Sequence, residues 1–220
     1  MRIQKAIGQI SQELGSKARL VAVTKTKPIG LLREAYEAGC TMFGENKVQE
    51  MVEKHEHLPQ DIAWHMIGHL QTNKVKYIAP FVALIHSVDS LKVLKEIDKQ
   101  AKKNNRIIEC LLQVHIAEEE SKFGFSEQEV LELLASDELG TLKNVRIVGL
   151  MGMATNTDAE TQIRKEFRGL RTFFDSLKAR ENEQVSMREL SMGMSGDYRI
   201  AIEEGSTLVR VGSAIFGARH

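Results

Sequence analysis

Cysteine, proline and net charge are all scarce in this chain of 220 residues. Its two cysteines, Cys40 and Cys110, are too few for a disulfide scaffold. Three prolines, with no Ser/Gly-rich or low-complexity run, leave nothing to act as a linker, so a single domain over residues 1–220 is expected. Lysine and arginine number 30 and are cancelled by 30 acidic residues, which leaves no electrostatic footprint for nucleic acid or an anionic membrane. No apolar run approaches the ~20 residues that span a bilayer. The opening MRIQKAIGQISQELGSKARL is patterned as an amphipathic helix and lacks the continuous apolar stretch of an export signal. These absences predict a cytoplasmic protein without nucleic-acid or membrane partners. A hydrophobic share of 42% against 27% charged residues excludes global disorder.

What recurs is a short β-branched or apolar run followed by a helical pattern. The runs fall at 20–24, 41–43, 62–67, 82–86, 107–116, 145–151, 187–192 and 207–211. Between them, Ile163, Phe167, Leu170, Phe174 and Leu177 trace one face of a 3.6-residue period. Ser126 with Glu129 forms a capping box ahead of Val130 and Leu131. Asp89 is a candidate cap for a helix bearing Leu94, Ile97 and Ala101. Strands alternating with helices imply a parallel sheet covered by helices. Eight such units in 220 residues, about 27 each, predict a compact α/β fold, the (β/α)8 TIM barrel. A doubly wound open sheet is the alternative, and no G-x-G-x-x-G follows the first strand to support it.

In a barrel, chemistry sits at the carboxyl ends of the strands. The first strand reads LVAVTKTKP, and period-2 alternation puts Val21, Val23 and Lys25 on one face. If the valines point inward, Lys25 enters the mouth. Burial there, with Lys27 nearby, would favour a free amine suited to imine chemistry. The alternative is a lysine that snorkels past the strand end into solvent. In STLVRVGSAIFG, Leu208 and Arg210 share a face, and a buried guanidinium requires either a carboxylate or a ligand acceptor. Gly212 and Ser213 follow it. The preceding strand leaves through SMGMSGD, with Ser191, Gly193, Ser195 and Gly196. Gly/Ser loops are common turns, but these two lie after strands 7 and 8, where barrels often hold phosphate.

Strand 8 of a closed barrel pairs with strand 1, so the lysine and the phosphate loops become neighbours. A ligand carrying both an aldehyde and a phosphate fits that arrangement, namely pyridoxal 5′-phosphate (PLP), bound as a Schiff base on Lys25. Arg210 would then face the pyridine nitrogen and weaken the ring as an electron sink. A sugar phosphate trapped by the same lysine is a competing reading.

The segments LVAVTKTKP, FGENKVQE, WHMIGHLQTNK, HSVDS, GLMGMA, SMGMSGDY and AIEEGSTLVRVGSAIFGAR run in order over nearly the whole chain. Together they resemble the YggS/PROSC family of PLP homeostasis proteins. The resemblance implies a fold like the N-terminal barrel domain of alanine racemase, with PLP on Lys25. It implies phosphate contacts from Ser191, Gly193, Ser195, Gly212 and Ser213, the ring-nitrogen arginine at Arg210, and Asn46 in the pocket mouth. Met194 is expected to line the pocket. At Gly196 the chain departs from the Asp or Asn of many members, in a loop expected to tolerate it. The implied role is to bind, buffer and deliver PLP in vitamin B6 homeostasis, with apo PLP-dependent enzymes as recipients and little or no catalysis.

Alanine racemase carries a further C-terminal domain that helps supply a second acid/base residue. This sequence ends at His220, soon after its last barrel motif, which favours a monomeric carrier over the alternative, a small PLP-dependent racemase. Tyr198 is either a mouth residue or a helix-packing side chain. His65 and His69 are four apart but lie on a strand end and a loop rather than on one helix face, so no metal site is expected from them. His55 and His57 read as solvated, and both cysteines as packed hydrophobes.

Overall fold

The alternation of apolar and polar positions resolves into eight parallel strands in a computed structural model that describes residues 2–118 and 123–217. They are β1 (Arg19–Val23), β2 (Met42–Glu45), β3 (Ala63–Met66), β4 (Leu84–Val88), β5 (Ile108–Gln113), β6 (Val145–Met151), β7 (Val185–Ser191) and β8 (Leu208–Val211). Each pairs with the next, and β8 closes on β1 with Val21 opposite Arg210 and Ala22 opposite Val211. This closed barrel is the architecture expected from the pattern, and it excludes the open sheet.

Ahead of β1 stands α1 (Arg2–Leu14), which buries Ile3, Ile7, Ile10 and Leu14 along one face. The sheet is then wrapped by α2 (Ile29–Glu37), α3 (Val48–His57), α4 (Val75–Ile78), α5 (Leu91–Lys103), α6 (Glu127–Ala135), α7 (Asp137–Thr141) and α8 (Glu160–Ser176). Two short helices, α9 (Tyr198–Glu203) and α10 (Ser213–Phe216), follow β7 and β8. The α8 stripe is buried as its spacing predicts, with Leu177 starting a 3-10 turn. At α6 the capping box is formed in both directions, with Ser126 Oγ accepting from Glu129 N–H and the Glu129 carboxylate accepting from Ser126 N–H. The cap of α5 is Ser90 rather than Asp89. Its Oγ accepts from Val93 N–H at 3.4 Å, because a capping oxygen reaches the amide three residues on. Asp89 instead meets His69 Nδ1 at 3.0 Å.

Two apolar cores follow from the alternation. Val21, Leu84, Leu111, Val148, Met151 and Leu208 fill the barrel interior. Outside the sheet, Phe43 and Trp64 meet edge to face at 5.7 Å within the larger layer under the helices. The interior is therefore packed, with a buried line of His65, His86 and Ser191 beside these apolar side chains, and the cavity is left to the carboxyl end. Among the described residues, no helix is long and apolar enough to cross a membrane.

Candidate functional site

A cavity of about 290 Å³ opens at the carboxyl ends of β1, β2 and β8, at the lower end of the ~300–1,000 Å³ typical of small-molecule sites. Lys25, Asn46, Met194, Ser195, Arg210, Gly212 and Ser213 line it. Ser191 and Gly193 do not. Lys27, Ile67, Met153 and Gly217 complete much of the wall.

The first of these residues sits just beyond its strand. β1 stops at Val23, and a turn follows in which Lys27 N–H donates to Thr24 C=O at 3.0 Å. Thr26 takes a φ of +63°, which is uncommon for any residue with a Cβ. The turn carries both lysines to the cavity, with Lys25 half-buried and Lys27 Nζ donating to Gly217 C=O at 3.2 Å. Beside it lies a charged cluster that the sequence did not reveal. Lys54, on α3, is 5% exposed, and its Nζ donates to Glu45 Oε1 at 2.6 Å, Thr24 C=O at 2.8 Å and Glu50 Oε2 at 3.1 Å. Burial raises the Glu45 carboxyl above its usual range, against the pull of Lys54 and Thr24.

On β8, Arg210 is buried and shares the inward face with Leu208. Its guanidinium donates to Ser191 Oγ and, at 3.1 Å, to Gly152 C=O. Among the described residues it forms no ion pair, and burial draws its pKa down to about 10. Behind it runs a line of buried polar groups: Ser191 Oγ lies 2.9 Å from His86 Nδ1, and His86 Nε2 lies 2.8 Å from His65 Nδ1. A guanidinium only donates, so Ser191 Oγ accepts from Arg210, and the tautomers of His86 and His65 set which atom donates in the two contacts beyond it. Burial keeps both neutral, lowering His65 to about 3 and His86 well below its usual value.

Why Ser191 stands behind the site follows from register. It pairs with Leu208, one inward position below Arg210, so its hydroxyl lies beneath the guanidinium. Gly193 has a φ of +93°, a Cβ there would meet Ala201 Cβ at 2.5 Å, and its C=O accepts from Arg210 N–H. Both residues thus support Arg210 from behind the cavity wall. Ser195 is placed differently: its Oγ accepts from Gly212 N–H at 3.1 Å and Ala214 N–H at 3.4 Å, gathering two backbone donors at one edge of the cavity. A Cβ on Gly212 would lie 3.0 Å from Val23 C=O, so the close approach of β8 to β1 leaves little room for a side chain there. Gly68 plays the same part for Asn46, whose C=O would be 2.4 Å from an added Cβ.

Other candidates fall elsewhere. Tyr198 is buried and donates to Glu13 Oε2 at 2.6 Å, tying α9 to α1. His65 turns into the barrel while His69 is exposed at Asp89. His55 is not simply solvated: it stacks on Phe81 at 3.8 Å, and partial burial lowers its pKa. Cys40 and Cys110 are buried, which raises both thiols.

An amine, a buried guanidinium and a Gly/Ser cradle facing one another around a barrel closure define the class: a barrel of the alanine racemase N-terminal type. Residues 2–220 match the family described as alanine racemase, N-terminal domain. The pyridoxal phosphate homeostasis protein of Aquifex aeolicus is 42% identical over 219 residues, covering 99% of this chain and 94% of its own. PipY of Synechococcus elongatus PCC7942, solved with PLP bound, is 34% identical with a TM-score of 0.88, covering 98% of this chain and all of its own. Without PLP it superposes with a TM-score of 0.91. Alanine racemase of Bartonella henselae, at 16% identity and a TM-score of 0.75 over 58% of its length, shares the fold. The chain belongs to the family of pyridoxal phosphate homeostasis proteins.

Proposed function

We propose that this protein binds PLP, holds it covalently through Lys25 and serves as an intracellular carrier and buffer with little or no turnover. The observation that carries this reading is that Lys25, in the turn after β1, and Arg210, on the neighbouring strand β8, line one cavity beside the Ser195–Gly212 donors. That donor set suits the cofactor's three polar features: an amine for the aldehyde, an N–H donor for the ring nitrogen, and hydroxyl and backbone donors for the phosphate. When bound, PLP supplies an aldehyde carbon that a primary amine converts to a C=N link with release of water.

Lys25 would supply that amine. Arg210, backed by Ser191 and His86, would donate to the ring nitrogen and leave it unprotonated, which makes the ring a poor electron sink. Ser195, Gly212 and Ser213 would hold the phosphate, and Asn46 and Met194 would flank the opening. Proton exchange on both faces of a substrate carbon needs two acid/base groups. Among the described residues the cavity wall contains no tyrosine, histidine, cysteine or carboxylate, and its lysines are Lys25 and Lys27. This supports a carrier over a racemase; we further propose that it acts in the cytoplasm as a monomer, with apo PLP-dependent enzymes as recipients.

The test is an absorbance spectrum of the purified protein loaded with PLP, followed by borohydride reduction and peptide mapping. A long-wavelength band present in the parent and absent in Lys25→Ala, with the pyridoxyl adduct on Lys25, is the expected result. An adduct on another side chain would overturn the assignment. Racemisation of any amino acid at a physiological rate would overturn the carrier role.

A further inference from the structure

β1 ends at Val23, so the sheet itself does not fix the residue that follows two positions later. What holds the turn comes from β2 and α3: Thr24 N–H still donates to Gly44 C=O at 3.0 Å, and the remaining contacts are made by side chains. Thr24 is fully buried, its C=O accepts from Lys54 Nζ at 2.8 Å, and its Oγ1 donates to Glu45. On the other side, Thr26 N–H donates to Glu50 Oε2 at 2.8 Å. Glu50 and Lys54 are one helical turn apart and bonded to each other at 3.1 Å. The two peptide units flanking Lys25 are therefore gripped by one pair of side chains on one helix.

Two features argue that this grip serves more than stability. Ion pairs such as these are weak stabilisers, because desolvation offsets the attraction where they are buried, as at Lys54 and Glu45, and solvent screens it where they are partly exposed, as at Glu50. Thr26, moreover, is β-branched and held in the left-handed region, a conformation that persists only where surrounding contacts over-determine it and that collects at functional sites. The contacts that over-determine it converge on the backbone around the amine.

We propose that Glu50 and Lys54 are positioning residues for Lys25, fixing the Thr24–Thr26 turn so that the amine enters the cavity ready to meet a carbonyl. The inference rests on the PLP reading above. In the step they serve, the amine nitrogen bonds to the aldehyde carbon, and the carbonyl oxygen leaves as water with both amine hydrogens. Neither residue touches the reacting atoms. They act by holding the attacking nitrogen in place, where a displacement of ~1 Å costs on the order of 100-fold in rate.

The experiment compares Glu50→Ala, Glu50→Gln and the parent as full-length protein stripped of PLP. Amide exchange at Thr26 and thermal unfolding are measured without cofactor. Stopped-flow absorbance after adding PLP then gives the rate of covalent attachment. Glu50→Ala is expected to lose protection at Thr26 and to attach PLP roughly 10–100-fold more slowly. Glu50→Gln, whose amide oxygen still accepts from Thr26 N–H, should return to within about threefold of the parent, a factor worth under a kcal/mol. Attachment by Glu50→Ala at the parental rate would overturn the inference, as would a Gln variant as slow as Ala. If the parent itself gives no adduct on Lys25, it is the PLP reading that fails. Should Glu50→Ala not fold, Glu50→Asp tests the same point, because it keeps the charge and withdraws the acceptor from Thr26 N–H by one methylene. A parental rate there, with protection at Thr26 lost, would count against the proposal, and slowed attachment with an unchanged unfolding temperature would support it.

Discussion

Ser191 and His86 stand 105 residues apart in the chain and are joined in the middle of the barrel by a 2.9 Å hydrogen bond. The bond makes Ser191 the bridge between a permanent donor, Arg210, and a neutral ring. Ser191→Ala leaves a guanidinium N–H and His86 Nδ1 without that partner in a buried setting. Each such loss costs roughly 1–3 kcal/mol. The variant should unfold several degrees below the parent in a thermal scan and release PLP faster, while Ser191→Thr retains most of both properties.

The two buried histidines predict a particular acid lability. Their folded pKa values lie below the unfolded value near 6.5, so the unfolded chain binds more protons as pH falls. Their contribution to stability is complete above about pH 6.5 and declines as pH drops towards the folded values. The slope approaches ~1.4 kcal/mol per pH unit for each ring. Glu45, raised by burial, works in the opposite direction. Urea unfolding at pH 7, 6 and 5 should show a steep loss, and His86→Gln should reduce the slope by about one proton equivalent.

On the proposed assignment, Arg210→Ala would remove a ring contact and not the covalent anchor. A hydrogen bond to a charged group contributes about 1.5–3 kcal/mol, so retention of PLP should weaken by roughly 10–100-fold. Dialysis against buffer measures that loss, and borohydride trapping should still find the adduct on Lys25. Complete disappearance of the adduct would show that Arg210 does more than meet the ring.

Gly212→Ala tests the cradle. The added methyl would sit 3.0 Å from Val23 C=O and 3.2 Å from Val23 Cβ, so the β8 exit must shift by a few tenths of an ångström. The expected cost in stability is modest, about 1 kcal/mol, at the low end for overpacking. Phosphate holding should suffer more than folding: PLP release quickens while the rate of attachment to Lys25 changes little. Parallel measurements of unfolding and release separate the two.

Much of this was legible in the chain because a barrel writes its inside and outside into alternate residues. Val21, Val23 and Lys25 mark the inward face that leads to the cavity, and Leu208 with Arg210 does the same on the neighbouring strand. β2 was harder to read, since Gly44 and Glu45 are poor strand formers. They belong to the strand because Gly44 packs closely on Val21 and Glu45 is met by Lys54. The segment 107–116 was read too long, because beyond Gln113 the backbone turns to Phe125, with His115 N–H donating to its C=O. Ser191 and Gly193 read as ligand contacts from their loop composition, and only register reveals that they stand behind the wall. The His65–His86 line and the grip of Glu50 and Lys54 left no local mark. Their partners are distant in sequence, and α3 looks like any polar helix until Lys54 is seen buried beneath the turn.

The closure of β8 on β1 has a consequence for biosynthesis. The amine at position 25 leaves the ribosome 185 residues ahead of the guanidinium at position 210 and the loop after it. A nascent or clipped chain lacking its last strand has no complete receptacle. Secure retention of the vitamin is thereby reserved for molecules in which β8 has been made and the ring has shut.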